Sequence, residues 1–222
     1  MRFLLSSILL ILLSQATLAT EWDCAATEGT FTRSTDCTLS GEIELTNHLN
    51  ILGVVKSDGS YPVISAAPVG QQRHFKNNHK TLTLKYLKLI NGNLVYDSSL
   101  YLNDLLGGSI RLGRTAILYA SYCIFFNNHA GSKGGAIYGG SDKDHRYDTH
   151  LSHVDFIDNT AGDYGGAVYL DGDGGQFYDD SCTYTGNTAG LYGGALMFNG
   201  ENDARFSGSS FVGNTAGSKG GA

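Results

Sequence analysis

Two pairs of carboxylates are spaced closely enough to do chemistry together: Asp171 and Asp173 within Asp171-Gly-Asp-Gly-Gly175, and the adjacent Asp179-Asp180. Paired carboxylates are what glycoside hydrolysis uses, one as acid and the other as base or nucleophile. A working site also needs a substrate clamp and an orienting partner. The chain has no Gly-His-Gly, Arg-x-Lys or Arg-x-Pro-x-x-Arg segment to supply them. Catalysis is therefore not expected, and a secreted carbohydrate-binding or polysaccharide-cleaving protein, the latter a polysaccharide lyase or glycoside hydrolase, stands as the alternative. Asp142, Asp144, Asp171 and Asp173 also carry the hard oxygens that calcium takes. Their spacing matches neither an EF-hand loop nor the calcium-binding Gly-Gly-x-Gly-x-Asp repeat, so no cofactor is expected. His145, His150 and His153 precede the second copy of the repeat described below. They read as polar loop decoration, because a metal site needs a fuller ligand set. Nucleotide-binding, nucleophile-elbow and zinc-finger signatures are absent from the sequence.

Charge and composition narrow the partners. A net charge of −6 without a Lys/Arg cluster argues against nucleic acid and acidic membrane surfaces. Arg2, an apolar stretch from Phe3 to Leu13 and the small residues up to Ala19 have the order of a secretory signal peptide, cleaved after Ala19. That apolar stretch is well short of the roughly 20 residues needed to span a bilayer, so no transmembrane segment is expected. The expected location is extracellular or at the cell surface, meaning the cell envelope or outer membrane if the source is bacterial. Residues 20–222 read as one domain, with 20–42 as its N-terminal cap. Oxidising conditions permit a Cys24–Cys37 disulfide within that cap.

The elements that must hold these groups are set by a repeat. Four segments align without a gap: Phe125 to Ala136, Phe156 to Ala167, Tyr184 to Ala195 and Phe211 to Ala222, the last cut short. Their shared columns are the aromatic (Phe125, Phe156, Tyr184, Phe211), an Asn (Asn128, Asn159, Asn187, Asn214), an Ala, a Gly, and a Gly-Gly-Ala that begins at Gly134, Gly165, Gly193 and Gly220. The aromatic positions are 31, 28 and 27 residues apart. A unit of that size cannot bury its own apolar face, so copies must stack. Between glycines the pattern is short and strand-like, as in Ala136-Ile-Tyr138 and Ala167-Val-Tyr-Leu170. The expected fold is all-β, a right-handed single-stranded parallel β-helix.

Each column has a structural job in such a solenoid. The aromatics stack inside one wall. The Asn residues close a turn, tolerate left-handed backbone and bond their amides from coil to coil. The Gly-Gly pair admits positive φ. Cys123 and Cys182 share an inward position with Val154 and Ser209, two residues before the aromatic. A whole coil separates them, about 9.6 Å at normal strand spacing, so they should stay reduced. Farther upstream the repeat is worn: Leu45 to Val55 and Thr81 to Leu89 alternate as strands, and Gly107-Gly-Ser-Ile110 stands for Gly-Gly-Ala-Ile. Because Ala222 falls where a strand should start, the array is expected to continue or to be capped by further repeats.

Phe-x-x-Asn followed after five residues by Gly-Gly-Ala-Ile/Val/Leu resembles the repeat of the chlamydial polymorphic outer membrane proteins. The resemblance covers residues 125–222 and departs from the aromatic column at Tyr184. It implies a pectate-lyase-like β-helix, the passenger of a surface-exposed autotransporter acting as an adhesin. The implied partner is a surface protein or a glycan, reached through loops such as Gly140 to Tyr147 and Leu170 to Asp180.

Overall fold

The computed structural model describes residues 19–67, 72–95, 105–140 and 146–221. The proposed signal segment up to Leu18, and Asp142, Asp144, His145 and Ala222, lie outside the described residues.

From Thr81 onward each turn of the chain visits four walls in order, and every ladder between strands of successive turns is parallel. The first wall stacks Gly29–Arg33, Leu49–Gly53, Thr81–Lys85, Ile117–Ser121, Asp148–Ser152, Gln176–Asp180 and Asp203–Ser207. The second stacks Cys37–Thr38, Val63–Ser65, Lys88–Ile90, Ile124–Phe126, Asp155–Ile157, Thr183–Thr185 and Ser210–Val212. The third is shorter, with Asn93–Leu94, His129–Ala130, Thr160–Ala161, Thr188–Ala189 and Thr215–Ala216. The fourth runs through Ile43–Glu44, Phe75–Asn77, Ile110–Leu112, Ile137–Gly140, Val168–Asp171 and Leu196–Asn199. This is a parallel β-helix. Leu45 to Val55 and Thr81 to Leu89 are not single strands, since corners interrupt both.

The strands are two to five residues long because a side chain can face the interior only between corners. Phe125, Phe156, Tyr184 and Phe211 sit in direct register on the second wall. Their rings stack with centroids 5.0, 4.9 and 4.7 Å apart and planes within 6°. That spacing is the strand spacing itself, so the ladder needs no distortion of the backbone. The first three rings are fully buried, while Phe211 in the last coil is 37% exposed.

The corner after this column differs from the sequence expectation. The left-handed residue is Asn127, Asp158, Gly186 or Gly213, one position before the Asn column. Freed from that duty, the Asn side chains run along the axis as a buried ladder. Asn128 Nδ2, Asn159 Nδ2 and Asn187 Nδ2 each donate to the Oδ1 of the next Asn, at 3.0, 3.0 and 2.9 Å. The second Nδ2 hydrogen of Asn159 and of Asn187 goes to the carbonyl of the preceding coil's aromatic, at 3.0 Å in both cases.

The Gly-Gly pair serves two separate needs. Gly165 adopts φ of 63°, which costs glycine nothing. Gly166 is there for clearance, since a Cβ would overlap the carbonyl oxygen of Gly194 in the next coil. At the other end of the core Trp22 is fully buried against Phe75, with ring centroids 6.0 Å apart. Its chain segment is held there by the Glu21–Thr32 bridge and by the Cys24–Cys37 disulfide, whose Cα atoms are 6.5 Å apart.

Candidate recognition face

The acidic residues singled out by spacing do not converge. Asp179 and Asp180 are neighbours on one strand of the first wall, so they point to opposite faces. Asp179 is 2% exposed, inside the core, and Asp180 faces solvent. The inward carboxylate has a structural partner: Tyr184 Oη donates to Asp179 Oδ2 at 2.6 Å, and Ser209 Oγ donates to Oδ1. Two irregularities of the repeat, a Tyr in a Phe column and an Asp in a column shared with Ala120 and Leu151, thus explain each other.

Asp171 accepts from Asn199 Nδ2 at 2.7 Å and lies 3.5 Å from Lys133 Nζ. Asp173 Oδ1 accepts the backbone N–H of Glu201 at 2.9 Å. Among the described residues no three His, Cys, Asp or Glu side chains gather as metal ligands. The supposed loop from Leu170 to Asp180 is mostly wall, and only Gly172 to Gly175 lies between strands. Cys123 and Cys182 are free and buried. Burial pushes the Cys123 thiol up to about 12, and Cys182 also upward, with Asp179 adding to the effect, so neither offers a thiolate at neutral pH.

His150 and His153, in contrast, belong to an ordered surface. The middle outward column of the first wall carries Tyr119, His150, Tyr178 and Arg205 in register. Tyr119 and His150 stack at 4.7 Å, His150 and Tyr178 at 4.7 Å, and the Arg205 guanidinium lies over Tyr178 at 5.4 Å. His150 is held below its ordinary pKa by burial between the two rings, opposed by the Asp148 carboxylate. A second column runs along the corner leaving this wall. Tyr61, Tyr86, Tyr122 and His153 follow one another at 5.9, 5.1 and 4.8 Å, with Lys85 Nζ 4.9 Å from the Tyr86 ring. Tyr86, Tyr122 and His153 all have left-handed backbone there, with φ of 51–53°. Between the columns stand Ser121, Ser152 and Asp180.

Rings stacked this way cover one another's faces, and Tyr119 remains 43% exposed while His153 Nδ1 is hydrogen-bonded to Ser152 Oγ at 3.0 Å. The face therefore offers rigid aromatic area bordered by hydroxyls, carboxylates and cations. Tyr and Arg are the residues enriched where proteins bind proteins.

Sequence reasoning left both columns unread, although their signal is present. Tyr119, His150, Tyr178 and Arg205 recur at 31, 28 and 27 residues, the spacing of the inner aromatic column. The mixture of Tyr, His and Arg hides that period from a search for identical residues.

The sequence model of the Chlamydia polymorphic membrane protein (Chlamydia_PMP) repeat matches residues 122–140 and 153–171. The chain carries this repeat. Each match begins at the outer corner residue, Tyr122 or His153, passes through Phe-x-x-Asn and Gly-Gly-Ala, and ends on the fourth wall at Gly140 or Asp171. The Chlamydia_PMP repeat is thus one coil without its first-wall strand. Tyr184 and Phe211 place two further copies of its columns in the same register. No curated protein and no solved structure matches the chain. Among the described residues no helix is long and apolar enough to cross a membrane.

Proposed function

We propose that this protein is displayed at a cell surface and acts by adhesion, binding another surface protein through the outer side of its first wall without catalysing a reaction. The observation that carries the reading is the pair of outward columns, stacked at Tyr119–His150–Tyr178 with Arg205 over the last ring and at Tyr86–Tyr122–His153 with Tyr61 tilted against Tyr86. The core does not need these rings, since the inward columns already fill it, and solvent-facing tyrosines stacked this regularly give a partner a rigid patch at little entropic cost. The Chlamydia polymorphic membrane protein repeat supports a surface location, and the N-terminal signal pattern supports export. The separation of Asp179 from Asp180 and the engagement of Asp171 by Asn199 and Lys133 favour binding over hydrolysis.

The test is adhesion of protein-coated beads to cultured epithelial cells. Tyr119→Ser/His150→Thr/Tyr178→Ser should reduce bead attachment tenfold or more, while Thr160→Ser/Thr188→Ser/Thr215→Ser on the third wall should leave it unchanged. Equal attachment by the two variants would overturn the reading. Release of reducing ends from polysaccharides by the purified protein would favour the enzymatic alternative.

A further inference from the structure

Among the described residues the second wall has seven strands and the third five, the first of them Asn93–Leu94. A concave cleft of about 470 Å³ opens beside that strand, lined by Thr38, Ser65, Asn91, Asn93, Asn127 and His129 over a floor of Ala66, Ala67 and Gly92. That size lies within the range of small-molecule sites. A ligand site needs a place that differs from the repeat, and His129, Asn91 and Asn127 differ from the residues of the later coils. His129 stands where later coils have Thr160, Thr188 and Thr215. Asn91 and Asn127 occupy the left-handed corner that Asp158, Gly186 and Gly213 fill later. Thr38 and Ser65 begin an outward column that continues through Ile90, Phe126, Ile157, Thr185 and Val212.

The donors and acceptors are held in place. Asn127 Nδ2 donates to Asn91 Oδ1 at 2.9 Å, which fixes both amides and turns the Asn91 Nδ2 donors and the Asn127 Oδ1 acceptor outward. Burial holds His129 below its ordinary pKa, so at neutral pH the ring is uncharged and can both donate and accept. The lining has amides, hydroxyls and one imidazole, with no carboxylate, lysine or arginine. An anion would find no cation there and a cation no anion. A neutral ligand rich in hydroxyls satisfies this set.

We infer that the cleft at the start of the third wall is a binding site for a unit of an uncharged saccharide, separate from the protein-binding face of the first wall. The test uses the purified full chain in saturation-transfer NMR and on a glycan array of neutral oligosaccharides, with sulfated and sialylated glycans as the anionic arm. Neutral glycans should bind. Asn127→Gly/His129→Thr installs the residues of later coils, so it should leave the thermal midpoint in place while weakening that binding tenfold or more. Tyr119→Ser/His150→Thr/Tyr178→Ser should leave glycan binding unchanged, which separates this site from the adhesive reading. The inference is overturned if no neutral glycan binds, if only anionic glycans bind, or if neutral binding survives the double substitution at an unchanged thermal midpoint.

Discussion

Asn159 is the interior rung of the amide ladder, and removing its side chain tests whether the column is a structural spine. In Asn159→Ala three kinds of bond are lost. Asn159 Oδ1 no longer accepts from Asn128 Nδ2 at 3.0 Å or from the Asn128 backbone N–H at 3.1 Å. The Phe125 carbonyl loses the donor 3.0 Å away, and Asn187 Oδ1 loses one of its two. Asn187 Oδ1 keeps the Asn159 backbone N–H at 3.0 Å, and Asn128 Nδ2 keeps the Leu89 carbonyl at 3.3 Å. The Phe125 carbonyl stays in the parallel ladder with Asp155–Ile157, so the uncompensated group is the Asn128 backbone N–H, in a corner where Asn128 and Asn159 are 1% and 0% exposed. At about 1–3 kcal/mol for a buried group left unpaired, the loss should be about 1–3 kcal/mol. Urea unfolding followed by circular dichroism would read this as a midpoint lowered by about 0.5–1 M, for a slope of about 2–3 kcal/mol/M. Asn127→Ala, one position earlier and exposed, removes only the side-chain bond to Asn91 and adds backbone strain at φ of 52°, so its effect should be smaller. An unchanged midpoint for Asn159→Ala would mean that water replaces the ladder and that the reasoning fails.

Three further substitutions follow from buried polar groups. Thr149 is fully buried between Leu118 and Phe177, and its hydroxyl has no partner; Thr149→Val should raise stability by about 1 kcal/mol, seen as a thermal midpoint about 2–4 °C higher. Tyr184→Phe should cost about 1–3 kcal/mol by taking a donor from the buried Asp179, and the double variant Tyr184→Phe/Asp179→Leu should recover much of that, giving a positive coupling in a double-mutant cycle. His74 is fully buried and neutral, accepting from Ser109 Oγ at 2.9 Å and donating to the carbonyls of Ile64 and Ile90 at 3.1 Å, and burial lowers its pKa to about 4. The unfolded chain takes up that proton first as pH falls below about 6.5, so stability present above that pH declines toward pH 4; at pH 4.5 the loss from His74 alone should be about 2–3 kcal/mol. Urea midpoints at pH 7 and 4.5 should therefore fall farther for the native protein than for His74→Gln.

Inner columns could be read from the sequence because a parallel solenoid makes every coil solve the same problem with the same residue. Four aligned copies reveal the aromatic, Asn and Gly-Gly positions, and with them the fold and the free state of Cys123 and Cys182. What the alignment could not separate was which of two adjacent residues turns the corner: Asn127, Asp158, Gly186 and Gly213 share a backbone conformation but not a residue type. The outer columns were hidden for a related reason. Stacking outside the core requires only a flat group at each rung, so Tyr, His and Arg replace one another on the first wall, and the tyrosines of the corner column fall largely in the coils where the repeat is worn. Asp179 was misread because its neighbour Asp180 suggested a pair, whereas alternation along a strand sends adjacent residues to opposite sides. The cleft gathers single residues from several coils, and such a gathering leaves no motif.

Site-specific photocrosslinking on intact cells tests the central claim most directly. A benzoylphenylalanine placed at Tyr178 should form an adduct with a cell-surface protein under conditions in which beads adhere, and the same group at Ile157, outward on the second wall, should not. Adducts from Ile157 alone, or from both positions equally, would contradict the assignment of recognition to the stacked aromatic face of the first wall.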